Sequence, residues 1–547
     1  MRLFFVIAFC KLLHFVGKRF GRGSSLPGWV ALALYPGILK RMKLPRTTIA
    51  ITGSNGKTTT TEMIAHTLEA CGMRIGWNRE GSNQIEGVAT LLLRYSTFGG
   101  KVDRDALVLE CDERYAQSIF KVFAPSVFVV TNICRDQLTR NGHPESVQDC
   151  IRAAIAVAGD RMSLALNADD PYVAALAAPT SPDGTGGSVG AAGSVGASTS
   201  ASGADGTDGA DGASGASGVG SSVSEIVSCK SGVNVAWFGI SRNAAEQYAD
   251  RTAMESNELP ITHKANSPLS SVKCRHQRHL VLSPLSSFLF YNPPNAGGGM
   301  YDDGAFCPIC KSRMKYEYRV AAHMGSYRCD ACGHARPTPQ VEAAAVDYET
   351  GAVTFGDGAM SRLAFPSLTG AYNLAAAIAA VGLAVGTSAE VAARILEGYA
   401  LTGGRTVDFT VDDRAGMLLV SKHENSVSYN QSLAWVVGRR KPCTVVIVVD
   451  SISRKYYTSD TSWLWDIDFG ILADSCINHI VLAGRYVNDL AARFALSAVN
   501  PSKAARVADL TSLRTHIATS TAHDIYALTC FSDKEKLLKA LNQRSTI

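Results

Sequence analysis

The sequence carries little net charge of either sign: 53 Lys and Arg against 48 Asp and Glu leave +5 over 547 residues. So weak a bias gives no electrostatic reason to expect nucleic acid as a partner. Long apolar runs are also missing. The N-terminal stretch MRLFFVIAFCKLLHFVGKRF is interrupted by Lys11 and His14, and no small-x-small cleavage site follows it. A bilayer span needs about 20 apolar residues and a signal peptide needs its cleavage signal. The stretch therefore predicts an amphipathic helix on the surface of the domain or of a membrane. The next apolar stretch, PGWVALALYPGIL, is cut by prolines at both ends. The expectation is a cytoplasmic chain, at the inner face of the membrane at most, with no more than peripheral membrane contact. The fourteen cysteines are diluted through a long chain, and four form two CxxC pairs. That pattern reads as metal in a reducing compartment and not as a disulfide framework.

What is present is core material. Hydrophobic residues make up 46% and charged residues 18%, which excludes global disorder, collagen-like repetition and a coiled coil. At roughly 150 residues per domain the length suggests three or four domains. TTIAIT, ALVLEC, SVFVVTN, SLALN and VNVAWFG read as short buried strands alternating with helical patterns. This is the βαβ rhythm of a parallel sheet covered on both faces. Residues 180–224 lack large apolar side chains and predict a flexible insertion. Residues 241–300, rich in Asn, Ser and Pro, read as a second one. From about residue 405, MLLVSK, CTVVIVVD, HIVLAG and DIYALTC mark another α/β unit. The expected division is a helical segment over 1–45, a central domain over 46–400 and a C-terminal α/β domain over 401–547.

Gly53, Ser54, Asn55, Gly56, Lys57 and Thr58 lie between a strand and a helix. Glycines let backbone N–H groups form a concave nest, and the helix N-terminus adds partial positive charge. Lys57 can reach the β- and γ-phosphates, and the Thr58 hydroxyl can ligate Mg²⁺. The GxxGKT spacing is two residues shorter than the general loop, but strand and helix flank it as required. Glu110 ends the strand ALVLEC at the carboxyl edge, where open α/β sheets bind ligands. Asp112 and Glu113 follow at once, and Asp136 and Gln137 return polar groups to the same edge.

Cys307 and Cys310 are followed, after eighteen residues, by Cys329 and Cys332. Two CxxC turns at this separation can place four thiolates tetrahedrally around one Zn²⁺, and such a closed site folds a small insert (about 304–338) without doing chemistry. His323 and His334 are surplus to four sulfurs.

At this point the chain resembles the Mur ligase family of ATP-dependent peptidoglycan enzymes. The resemblance rests on ITGSNGKTTT, the glutamate of VLEC, TNICRDQL, LNADDP, GAYNLAAAIAA and the GGR ending at Arg405. It implies an α/β fold in which a P-loop domain with a parallel-rich sheet binds ATP. The loop, Thr59 included, would hold nucleotide. Glu110 would serve Mg²⁺, Asn373 would contact adenine and Arg405 would help bind the nucleotide. Many members have a histidine where this chain has Gln137. A narrower likeness, to the MurT branch, rests on NREGSN at Asn78 to Asn83, on the four cysteines and on DTSWLWDIDF at Asp460 to Phe469. It implies a Rossmann-like C-terminal domain that docks a GatD-type glutaminase as a heterodimer. The reaction it implies is amidation of the α-carboxyl of D-Glu in lipid II or a related muropeptide. Asp460 would complete the partner's Cys-His pair, with a helix-capping aspartate as the bland alternative. Where the branch has a Lys-Asn-Pro stretch, this chain has SKHENSVSYNQ, with Lys422 and Asn430-Gln431 in comparable positions. Two other readings stay open: a Mur-type amino-acid or peptide ligase without a glutaminase, and a non-enzymatic ATP-binding zinc-ribbon adaptor.

Overall fold

The computed structural model describes residues 1–19, 25–79, 83–136, 141–178, 227–228, 233–252, 302–321, 323–402, 405–422, 424–452, 460–497, 499–520 and 524–542. The insertion expected at 180–224, most of that expected at 241–300, Gln137, Gly403 and Gly404 lie outside them.

Helices α1 (Arg2–Lys18) and α2 (Leu26–Leu34) form the N-terminal hairpin. Pro27 does not cut α2 short. It sits in the first turn, where its missing N–H has no intrahelical partner to lose. The central sheet then builds up as β1 (Thr47–Thr52), β2 (Ile75–Trp77), β3 (Ala106–Glu110), β4 (Val127–Val130), β5 (Ser163–Asn167), β6 (Val227–Ser228) and β7 (Asn234–Ile240). A hairpin of β8 (Lys315–Val320) and β9 (Met324–Arg328) stands outside it, and β10 (Val341–Val346), β11 (Ala352–Phe355) and β12 (Met360–Arg362) finish it. The order is β12-β11-β10-β7-β5-β4-β1-β3-β2, with β6 on β7. Strands β2 to β5, β1, β7 and β10 pair in parallel, and antiparallel pairs occur only at the β11–β12 end and at β6. Buried-on-both-faces strands such as TTIAIT and ALVLE suit a sheet covered by helices on each side.

Residues 242–252 correct the second expected insertion at its start: they form a helix, Arg242–Thr252. Ala244, Ala245 and Tyr248 of that helix are buried against the sheet, a helical spacing hidden by polar neighbours. Among the described residues one helix, Leu368–Val385, is long and apolar enough to cross a membrane. It is the core helix of the central domain instead, with Ala371, Ala375, Ala376 and Ile378 packed in the main hydrophobic cluster.

The C-terminal domain has a six-stranded sheet of β13 (Thr406–Val411), β14 (Arg414–Ser421), β15 (Cys443–Val448), β16 (Ile477–Ala483), β17 (Ala504–Val507) and β18 (Asp524–Cys530). The order is β13-β14-β18-β15-β16-β17, parallel except for β13 on β14. The carboxyl end of β14 runs straight into the contact with the central domain through Lys422.

Candidate active site

The loop Gly53–Gly56 joins β1 to helix α3 (Lys57–Ala70). Gly53 and Gly56 are needed for both conformation and space. Their φ angles are +127° and +86°, and an added Cβ would lie 2.2 Å from the Thr131 Oγ1 and 2.1 Å from the Asn373 Oδ1 respectively. No side chain caps the α3 N-terminus at Gly56, so its first-turn amides are presented to an anion. The Thr131-Asn132 pair after β4 fixes the loop from behind. The Asn55 amide donates to Asn132 Oδ1 (2.9 Å), while Asn132 Nδ2 (3.0 Å) and Thr131 Oγ1 (2.6 Å) donate to the Asn55 carbonyl. Ser54 Oγ donates to the Cys134 carbonyl at 3.1 Å.

Lys57 is buried, donates to the Gly53 carbonyl and sits 2.5 Å from Glu113 Oε1. Burial pushes the ammonium pKa down, but the charges of Glu113, Glu110 and Asp136 more than reverse this and hold it above the usual lysine range. Burial likewise works against ionised Glu113, and Lys57 and Lys422 outweigh it to hold the carboxyl below its usual range. The pair is therefore ionised at neutral pH. Glu110 is reached by the Thr58 hydroxyl at 2.7 Å and by Asn83 Nδ2 at 3.2 Å. Asn78 pins the Glu110 backbone from both sides, accepting from its amide and donating to its carbonyl. A carboxylate and a hydroxyl side by side are hard oxygen donors that suit Mg²⁺.

A cavity of about 440 Å³ opens beside the loop between the two domains, lined by Asn55, Gly56, Thr58, Thr59, Asn373 and Arg405 among others. Its far wall is apolar, with Phe365 stacked on Trp435 at 4.7 Å between centroids. The volume and the mixed lining suit a nucleoside beside a phosphate cradle. The structure thus brings together Gly53, Ser54, Asn55, Gly56, Lys57, Thr58, Thr59, Glu110, Asn373 and Arg405.

Asp136 does not turn to the Glu110 carboxylate. It is buried in an ion pair with Lys422 and accepts from Asn425 Nδ2 at 3.0 Å, and Lys422 also donates to the Ser54 carbonyl at 3.1 Å. The C-terminal domain therefore reaches into the phosphate loop itself. The sequence puts Glu113 at this edge without giving it the Lys57 partnership, and it does not reach Asn425. The signal for them was a common address, since all follow strands whose carboxyl ends meet at one edge. Asp460 stands apart from this cluster. Its carboxylate accepts from the Ser462 amide (2.8 Å) and hydroxyl (3.0 Å), at the start of the 3₁₀ turn Ser462–Asp466. Nearby, Asn430 donates to the Asp466 carbonyl at 3.1 Å and accepts from the Asp468 amide at 2.8 Å, so the comparable Asn430 position scaffolds the TSWLWDID segment.

The four cysteines Cys307, Cys310, Cys329 and Cys332 have all sulfurs within 4.8 Å of one another, with two contacts at 3.5 and 3.6 Å. A tetrahedron with Zn–S bonds of about 2.3 Å has edges of about 3.8 Å, so the cluster fits that ion. The residue after each CxxC, Lys311 or Gly333, has positive φ (62° and 75°) and closes a turn back on the first cysteine carbonyl. His323 and His334 are not ligands in this set. His323 Nε2 lies 3.2 Å from Asp170 Oδ2, and His334 Nε2 meets the Pro171 carbonyl at 3.0 Å. His334 fastens the insert to the LNADDP turn, against which His323 also lies. Asp170 there also accepts from the Ile133 amide at 2.7 Å, so insert and TN loop share one anchor.

Residues 51–191 match the Mur ligase middle domain and residues 423–533 match the MurT ligase C-terminal domain. The chain is 24% identical over 98% of its length, and 96% of the relative's, to the lipid II isoglutaminyl synthase (glutamine-hydrolyzing) subunit MurT of Streptococcus pneumoniae. It is 24% identical to the Staphylococcus aureus subunit of the same name, over 91% of this chain and 89% of that one. Among solved structures a pseudomurein peptide ligase type C from Methanothermus fervidus shares the fold (TM-score 0.57, 17% identity, 92% of this chain and 80% of that chain). With a nucleotide cradle, a four-cysteine insert and a second α/β domain in this order, the chain is similar over nearly its whole length to the MurT subunits and carries the middle domain of the Mur ligases.

Proposed function

We propose that this chain is the synthetase subunit of a glutamine-hydrolysing lipid II isoglutaminyl synthase. It amidates the α-carboxyl of D-Glu in the stem peptide to D-isoglutamine, with ammonia supplied by a GatD-type glutaminase. The observation that carries the reading is the joint placement of Lys57 and the Thr58–Glu110 pair at one strand edge, in a chain that runs nearly the full length of its MurT relatives.

The chemistry follows from the substrate. A carboxylate resists ammonia because oxide would have to leave. Transfer of a phosphoryl group from ATP to the carboxylate oxygen releases ADP and makes phosphate the leaving group. Ammonia attacks the acyl carbon, phosphate departs and a proton is lost, leaving the amide. The residues that would hold Mg²⁺ are Thr58 and Glu110, and the ion would supply neutralisation of phosphoryl charge. Lys57 adds a fixed positive charge in a site that the fold has already desolvated. Gly53 to Gly56 and Thr59 orient the phosphates, and Asn373 and Arg405 face the cavity in which the nucleoside would sit. Zn²⁺ in the four-cysteine insert would have no open ligand position, which assigns it to folding. The thiolates need a reducing compartment, in keeping with a cytoplasmic site of action.

Asp460 is assigned to orient and polarise the partner's histidine. Its partly exposed position at a turn supports this, because its acceptor contacts are both with Ser462 and can be exchanged for a partner. Asp460→Asn should abolish glutamine-driven amidation while free ammonia still supports turnover, measured by amide formation on the muropeptide. Equal loss with both nitrogen sources would remove the assigned role. Dependence on an added amino acid in place of ammonia or glutamine would favour the peptide-ligase reading.

A further inference from the structure

Residues 1–46 contain nine Lys and Arg and no Asp or Glu, so they carry +9 and the other 501 residues carry 5 − 9 = −4. Among the described residues, the same segment is also the richest in exposed large apolar side chains. Helix α1 packs on the domain through Val6, Ile7 and Cys10. Its opposite face shows Phe5, Phe9, Leu12 and Val16, at i, i+4, i+7 and i+11, and Phe5 is 64% exposed. A helix apolar on every side belongs where both faces are covered. The patch continues beyond α1: Phe98 lies 5.0 Å from the Phe4 ring, with Lys11 Nζ 5.5 Å above it.

The hairpin is fixed to the domain. An added Cβ at Gly28 of α2 would lie 1.9 Å from the Glu86 carbonyl, and the Gly28 amide donates to Thr90 Oγ1 at 2.9 Å. The Cys10 thiol in turn ties α1 to the Pro27 carbonyl at 3.3 Å. Glu86 and Thr90 belong to α4 (Ile85–Tyr95), which starts two residues after Asn83, the residue that touches the Glu110 carboxylate. The hairpin thus rides on the helix that leads out of the site, and α1 can lie along a surface but is not placed to cross one.

We propose that this hairpin is a membrane-docking face. Phe5, Phe9, Leu12 and Val16 enter the headgroup–acyl boundary of an anionic bilayer, and the surrounding lysines and arginines meet lipid phosphates. The charge selects the occupant. Anionic headgroups attract a basic, acid-free segment, whereas a symmetric second copy would set two +9 segments against each other. The inference stands apart from the amidation reading, although it would hold the site at the surface that carries a lipid-linked carboxylate.

The test uses the full chain and co-sedimentation with vesicles of phosphatidylglycerol mixed with phosphatidylcholine, or of phosphatidylcholine alone. Binding to the anionic vesicles is expected, weakened by salt and absent from the neutral ones. The triple variant Phe5→Gln/Phe9→Gln/Leu12→Gln should partition roughly tenfold less or worse, with ATP turnover and melting temperature in solution unchanged. Lys11→Glu/Arg19→Glu should remove the preference for anionic lipid. Binding to neither vesicle, or a triple variant that binds like the wild type, overturns the proposal. So does a concentration-dependent dimer, or a stoichiometric complex with the glutaminase, that the triple variant dissolves, since the face would then belong to protein.

Discussion

Replacing Glu113 by glutamine removes one charge from a pair in which both side chains are at most 8% exposed and 2.5 Å apart. Lys57 keeps the Gly53 carbonyl and the more distant charges of Glu110 and Asp136, but loses its direct counter-charge. Breaking a buried pair from one side costs about 3–5 kcal/mol, and that is the expected loss for the nucleotide-free protein in urea unfolding. The pH window follows from the two shifts. Glu113 is held low, so its contribution is complete above the unfolded glutamate value of ~4.3 and is lost as pH falls through the folded one. Lys57 is held high, so its contribution is complete below the unfolded lysine value of ~10.4 and fades only as pH rises through the folded one. The Glu113→Gln penalty should therefore be flat across neutral pH. In the nucleotide complex a phosphate supplies the missing negative charge, and the penalty shrinks. If it shrinks by about 1.4 kcal/mol, linkage requires the variant to bind nucleotide about tenfold more tightly than wild type. Calorimetry with a non-hydrolysable ATP analogue and Mg²⁺ measures this. An affinity that falls in step with stability would refute the idea that Glu113 holds the place of a phosphate.

Gly56→Ala should cost about 1–2 kcal/mol for its left-handed backbone and displace Asn373, whose Oδ1 occupies the Cβ position. Nucleotide affinity in calorimetry should drop, and adding Asn373→Ala should restore the packing but not the backbone term. Cys310→Ser should lower the zinc content measured by mass spectrometry and the melting temperature together, leaving ATP turnover per folded molecule unchanged; a selective rate loss would contradict a structural role. Burial pushes the Asp468 carboxyl up to about 6, so ionised Asp468 opposes folding above that pH. Asp468→Asn should gain about 2 kcal/mol above pH 6 and nothing near pH 4, read as urea midpoints at the two pH values.

Local signals carried much of the architecture. TTIAIT, ALVLE and SLALN are short apolar runs between turn residues, and each became a buried strand of the parallel sheet. The Arg242–Thr252 helix was not legible in this way, because few of its side chains are apolar and its fit to the sheet comes from Ala244, Ala245 and Tyr248 on one face. The phosphate loop and the four-cysteine cluster were visible because their residues are contiguous: six residues form the loop, and two CxxC turns form the cluster.

The sequence by itself determined the P-loop, the strand-end Glu110, the four thiolates and the order of the two α/β units, since each follows from neighbours a few residues apart. Tertiary structure alone decided that Lys57 faces Glu113 and that Asp136 answers Lys422 and Asn425 across 286 and 289 residues. It also decided that Gly56 makes room for Asn373 and that the apolar outer face of α1 is left open. A side chain's type is written in the chain. Which charge it meets depends on strands from distant segments ending at one edge, and no local propensity encodes that meeting.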